Sequence, residues 1–365
     1  MDAKDICHEK QRITYVDAVK GFAIIFIVIQ HAITNNPDIW QINQIYLLRF
    51  ITQMAMPAFF FVNGFLYSRK YAERPVWGIL RKIKAYYIPF VGYNFFFLIC
   101  NNLFVKLYLQ NDVYGDGWYG AADYIKHAIA ILTGHREHMG GAMWFLRSIL
   151  VISVIFIVAD SAAVRIKEGK YRHCTLGFVT LMIVTVAGAG LLPGGLSNFR
   201  LEGIFFFYMG FLAKEYDWNS KLQKGRMVWL LLCAAICLSG SLLFAIGVAR
   251  TTFVEEVLYL VLGCAGIAFL FLCAQTSLVE KFPVIAKIGS YSLEIMCLHF
   301  LAFKVVSIIM IILLNLPLAR LPEYPVIMYI GGGWWLLYTA VGIWLPCIYA
   351  SILTKCRSKI KTLAK

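Results

Sequence analysis

In "YVDAVKGFAIIFIVIQHAITNN", residues 15–36, an otherwise apolar run carries Asp17 and Lys20 at one end and His31 near the other. A helix turns about 100° per residue, so Lys20 and His31 share a face and stand about 16 Å apart along the axis. Asp17 lies one turn before Lys20 on nearly the same side. An imidazole titrates near neutrality and serves as a general base or proton shuttle, and a lysine attracts anions. Two plainer readings stand beside these: a histidine bonded to a neighbouring helix, and a lysine that snorkels to the membrane interface.

Other ionisable side chains interrupt apolar runs. Arg147 follows Trp144 in "MWFLRSIL", and "GSYSLEIMCLHFLAFK" holds Ser292, Glu294, His299 and Lys304. Charged groups at such depth cost several kcal/mol unless they face a cavity or a partner, which makes each a candidate for function. Ser292 and His299 are seven residues apart and share a face, either as chemistry or as a structural hydrogen-bonding stripe. Glu294 points about 140° away from His299.

A basic cluster stands in "GFLYSRKYAERPVWGILRKIKAYYIPF", where Arg81 and Lys84 fall one helical turn apart with Lys82 beside them. Such a cluster can hold a phosphate-bearing ligand by charge-assisted hydrogen bonds, although spacing alone favours ordinary anchoring at a membrane surface, which explains the same residues. His135 and His138 lie three apart beside Arg136 and Glu137, but the sequence arranges no further ligands, so no metal site is expected. Trp118, Tyr119 and Tyr124 offer an apolar platform for a sugar ring or seat their loop at an interface. No GxxxxGK[ST], GxSxG or HExxH motif occurs, which argues against ATP-driven transport and the common hydrolase classes.

The elements that must position these groups are membrane helices. Hydrophobic residues make up 60% of the chain and charged ones 15%. Apolar stretches near twenty residues recur along the chain, each long enough to cross a hydrocarbon core of about 30 Å. Ten spans are expected, at 16–34, 45–68, 84–109, 142–160, 173–192, 199–214, 226–248, 254–274, 288–314 and 326–353. The fold class is therefore all-α, a polytopic transmembrane bundle, with residues 1–365 forming one membrane-embedded domain between short tails, 1–15 and 354–365. No cleavable signal is evident, and the first span reads as a retained helix.

The net charge of +14 sits in alternate connections: Lys4, Lys10 and Arg12, then Arg69 to Lys84, Arg165 to Arg172, Lys214 to Arg226, Lys281 to Lys287, and the tail from Lys355. The intervening connections hold little beyond Arg200, Arg250 and Arg320. This asymmetry puts both termini in the cytoplasm, accords with an even number of spans, and reads as lipid and topology rather than nucleic-acid binding. The ten cysteines fall mainly inside the apolar spans, with neither a zinc spacing nor a disulfide framework.

Several of these motifs, in this order, resemble the integral-membrane acyltransferases of the acyltransferase-3 type, which include sugar O-acetylases of bacterial envelopes. "RITYVDAVKGFAIIFIVIQHA" is similar to the family's first-helix pattern of a basic residue, ten others and a histidine. "MPAFFFVNGFLYS", "LRKIKAYYIPF", "AMWFLRSIL" and "IGSYSLEIMCLHF" follow in the family's order. Lys20 and Lys84 stand where arginine is frequent, Met296 where tyrosine is, and the esterase-like and racemase extensions of some relatives are not seen.

The resemblance implies transfer of an acyl group, usually acetyl from cytoplasmic acetyl-CoA, to a hydroxyl on an extracytoplasmic glycan or related envelope acceptor. Acetyl-CoA would be a substrate, with no permanently bound cofactor, and the protein would be multi-pass in the plasma membrane. His31 would be the catalytic histidine, Lys20 its basic partner, and His299 the close of the ninth-span motif. Arg81, Lys84 and Lys82 would meet the CoA phosphates. Asp17, Asn63, Trp144, Arg147, Ser292 and Glu294 are candidates for the pocket or for holding the oxyanion. A rival from another class is a transporter or flippase whose intramembrane charges line a pathway, although no paired repeat is evident.

Overall fold

A computed structural model describes residues 14–33, 42–166, 170–192, 199–244, 252–328, 330 and 332–363. The basic N-terminal residues Lys4, Lys10 and Arg12, together with Arg250, lie outside these. The described residues form helices and loops with no strand. The principal helices are α1 (Thr14–Ile33), α2 (Ile42–Phe65), α3 (Pro75–Lys106), α4 (Ala121–Leu132), α5 (Trp144–Ile166), α6 (Lys170–Gly188) and α7 (Gly203–Glu215). They continue with α8 (Arg226–Leu243), α9 (Phe253–Ala274), α10 (Val284–Ser290), α11 (Ser292–Leu314) and α12 (Trp334–Leu363).

Eight helices among the described residues are long and apolar enough to cross a membrane. The other two expected spans are α2 and α7. Of these, α2 carries Arg49, Thr52, Gln53 and Asn63, and α7 has only 13 residues. Both are central: α2 packs along α7, and Phe60, Phe206 and Phe207 are almost wholly buried. A helix shielded from lipid by protein on every side tolerates polar side chains that a lipid-facing one does not.

Two helix starts differ most from expectation. The third helix begins at Pro75 rather than at 84, because Pro occupies the first turn, where its missing N–H costs nothing. It then passes through a π turn at Ile83–Tyr87. The last helix begins at Trp334 rather than at 326. The preceding segment is a folded loop in which Glu323 accepts from Arg320 Nε at 2.6 Å and from the Met328 N–H at 2.5 Å.

The first helix is held close to α10. A Cβ on Gly21 would lie 2.1 Å from the Ile285 carbonyl oxygen, and one on Gly289 would lie 1.8 Å from that of Asp17. Only hydrogen fits at either position, so the two backbones touch, as small residues permit in membrane bundles. This contact fixes the Asp17 end of α1. At the other end α1 meets α11, which brings His31 to His299.

Candidate active site

His31 opens into a cavity of about 990 Å³ at its end of the bundle. The ring stacks on His299, with centroids 5.3 Å apart and planes 24° apart, and meets the edge of Phe300 at 4.9 Å. His299 is fully buried. Its Nδ1 lies 2.8 Å from the Ile295 carbonyl oxygen, which can only accept, so Nδ1 carries the proton. The other ring nitrogen, Nε2, has no hydrogen-bond partner among the described residues. His299 does not line the cavity and reaches it through His31.

The rest of the cavity lining comes mainly from the segment between α3 and α5, the first turn of α5, α11 and the loop before α12. Arg136, His138, Trp144, Arg147, Met296 and Tyr324 all line it. Tyr324 lies 4.8 Å from Phe300 and 4.0 Å from His138 between ring centroids, continuing the ring contacts from His31 outward. Its place depends on Gly141, where a Cβ would stand 2.4 Å from the tyrosine oxygen. Arg136 Nη1 donates to the Gly141 carbonyl at 2.6 Å, and Arg147 Nη1 to that of Gly134 at 2.5 Å. Burial lowers the Arg136 guanidinium from its ordinary value and pushes the Tyr324 phenol well above its own, the latter despite Arg136 nearby.

Behind this wall Lys304 is buried and donates to three backbone carbonyls, Leu321 at 2.9 Å, Pro322 at 3.1 Å and Glu323 at 2.8 Å. Three carbonyl acceptors offset part of the cost of burying an ammonium there. The ammonium is the bracket that holds the turn before Tyr324. Lys304 is therefore a structural group, outside the cavity lining.

Of the candidates named from sequence, the cavity gathers His31, Trp144 and Arg147. Lys20 pairs with Asp17 at 2.5 Å at the opposite end of α1 and has no part in the cavity. Asn63 donates to the Phe59 carbonyl at 2.9 Å and accepts from the Tyr86 hydroxyl, also away from it. Ser292 does not bond His299, whose Nδ1 is already taken by Ile295. Glu294 faces a separate, largely apolar groove of about 660 Å³ between α3, α11 and α12. None of these four is placed to hold an oxyanion beside His31.

The basic trio also divides. Arg81 enters a cleft of about 570 Å³ with Lys70, Tyr71, Arg74 and Trp77, its guanidinium 4.8 Å from the Trp77 ring. Lys82 is buried between Tyr71 and Tyr86, with its ammonium 5.6 Å and 5.5 Å from their rings. Lys84 is exposed within the π turn and does not line the Arg81 cleft. His135 and His138 separate as well: His138 packs on Tyr324, and His135 turns to His127, 5.4 Å away between centroids.

Sequence reasoning missed Tyr324 and the wall role of Arg136. Tyr324 was legible only as part of a short connection, and nothing local says which loop folds back over the bundle.

The family model for the acyltransferase domain of the acyltransferase-3 type matches residues 13–353. The chain belongs to this family. As a member of the acyltransferase-3 family it carries out acyl transfer, and its apolar helices make it a multi-pass membrane protein. A comparison with curated proteins found no match, and one with solved structures found none.

Proposed function

We propose that this acyltransferase moves an acetyl group from cytoplasmic acetyl-CoA to a hydroxyl of an extracytoplasmic glycan or related envelope acceptor, in the plasma membrane. The observation that carries this reading is His31 in the lining of an open cavity, its ring held by stacking on the buried His299. His31 takes the proton of the acceptor hydroxyl as that oxygen attacks the thioester carbonyl, and CoA leaves as the thiol. Routing acetyl through His31 itself, as an acyl-imidazole, uses the same geometry. Arg147, Trp144 and Arg136 supply the donors and the apolar surface that would surround the tetrahedral intermediate and a sugar ring.

The cleft at Arg81 supports the donor half of the proposal. Lys70, Arg74 and Arg81 offer cations for phosphates, in a lining that also holds Glu73. Lys20 is held by Asp17 at the same end of the bundle, so its role is to shape the inner mouth rather than to act on the thioester. Holding donor and acceptor together in register lowers the barrier by roughly 7–11 kcal/mol.

The test is transfer from labelled acetyl-CoA to a panel of envelope glycans by the purified protein, with succinyl-CoA and a long-chain acyl-CoA as competing donors. The proposal expects label on a glycan hydroxyl, preference for acetyl, and an Arg81→Ala variant with KM for acetyl-CoA raised about tenfold and kcat little changed. Indifference to every acyl-CoA, with labelled glycan crossing vesicle membranes unmodified, would instead favour transport.

A further inference from the structure

Three ligand-type side chains converge on the outer wall of the cavity, and acyl transfer uses none of them. His127 lies on α4, His135 in the turn that follows, and Glu137 two residues further. One donor atom from each lies within 4.8 Å of those of the other two. His127 Nδ1 stands 3.0 Å from Glu137 Oε1 and 3.0 Å from the Tyr119 hydroxyl, which itself donates to Glu137 Oε2 at 3.1 Å.

The arrangement is built rather than incidental. Glu137 is buried, and its N–H donates to Asn94 Oδ1 at 2.8 Å. The backbone of Tyr119 is clamped at both polar groups by the Asn102 side chain, at 2.8 Å and 2.9 Å. Gly134, at φ +99°, reverses the chain after α4, and the His135 N–H donates to the Ala130 carbonyl at 2.8 Å. That turn swings the His135 ring back over His127.

Hydrogen bonding explains His127, Glu137 and Tyr119 as a closed group. It does not explain His135, whose ring bonds to no described residue yet is carried to the same point. Two imidazoles and one carboxylate at this spacing are the donor set of a late first-row divalent ion, poorly suited to Ca²⁺ or Mg²⁺.

We propose that His127, His135 and Glu137 bind Zn²⁺ or an ion of its class. The ion replaces the proton that His127 now shares with Glu137, and Tyr119 remains the hydrogen-bond support of the carboxylate. His135 and Glu137 also line the cavity, so the bound ion ties its outer wall to α4. One carboxylate leaves the site positively charged, with a remaining position for water or another oxygen.

The test uses the full chain, tag removed, in detergent, stripped with chelator and shown by thermal melting to be folded. Co²⁺ is titrated and read by its visible d–d absorption, then displaced by Zn²⁺. We expect one equivalent, a melting temperature raised by either ion, and affinity lowered at least about tenfold by His135→Ala, whose exposed ring has no hydrogen bond to lose. Absence of stoichiometric binding, or binding that both His135→Ala and His127→Gln leave unchanged, would overturn the site.

Discussion

At the scale of single residues, what distinguishes the two histidines is access. His31 lines the cavity and His299 does not, so the proposal gives the first contact with substrate and the second a positioning role. His299→Phe keeps the stack and should retain part of the activity, whereas His299→Ala opens space behind His31 and should lower kcat by roughly 10–100-fold with KM little changed. Steady-state kinetics on both variants decide it. If Phe is as inactive as Ala, the bare Nε2 has a proton role and the positioning account fails. The sequence showed His31 and Lys20 on one helical face, and that much is right. It could not show that Asp17 neutralises Lys20, because a pair at i and i+3 reads the same whether it serves a ligand or only itself.

Helices and the loop before α12 determine how rigidly the site is held. Gly289 and Gly21 let α10 touch α1, so Gly289→Ala should separate them and cost about 1–3 kcal/mol or more, seen as a lower melting temperature and a loss of folded yield. A variant as stable as wild type would show that the contact is dispensable. Lys304→Met removes the donor from three buried carbonyls, each worth about 1–3 kcal/mol when left without a partner. It should both lower stability and weaken acceptor binding through Tyr324, measured as a raised KM for the acceptor with KM for the donor unchanged. Apolar runs made most of these helices legible, since length and hydropathy are local properties. The early start of α3 and the late start of α12 were not, because hydropathy passes over the basic first turns from Pro75 and reads the apolar loop residues from Val326 as helix, although Glu323 ties them into a loop. Lys304 illustrates the same limit: an intramembrane lysine suggests chemistry until its three carbonyls are seen.

For the molecule as a whole, the account requires a donor mouth at the basic end and an acceptor cavity at the His31 end. Lys70, Arg74 and Arg81 stand at one, and His31, Arg136, Arg147 and Tyr324 at the other. With the basic end inward, the exposed Cys356 near the end of α12 should react with a membrane-impermeant maleimide only after cells are permeabilised, with Cys356→Ser as the control. Labelling of intact cells would invert the topology and with it the direction of transfer. The family assignment rests on motifs in order along nearly the whole chain, while the cavity is assembled from seven separate segments. That is why the activity class was readable and the acceptor side was not. The most direct measurement of the central claim is the rate of CoA release from acetyl-CoA by purified wild type and His31→Ala, with envelope acceptor present and melting temperatures recorded. The account expects a folded variant slowed by at least about 10²-fold. A folded His31→Ala protein that releases CoA and acetylates acceptor at the wild-type rate would contradict it.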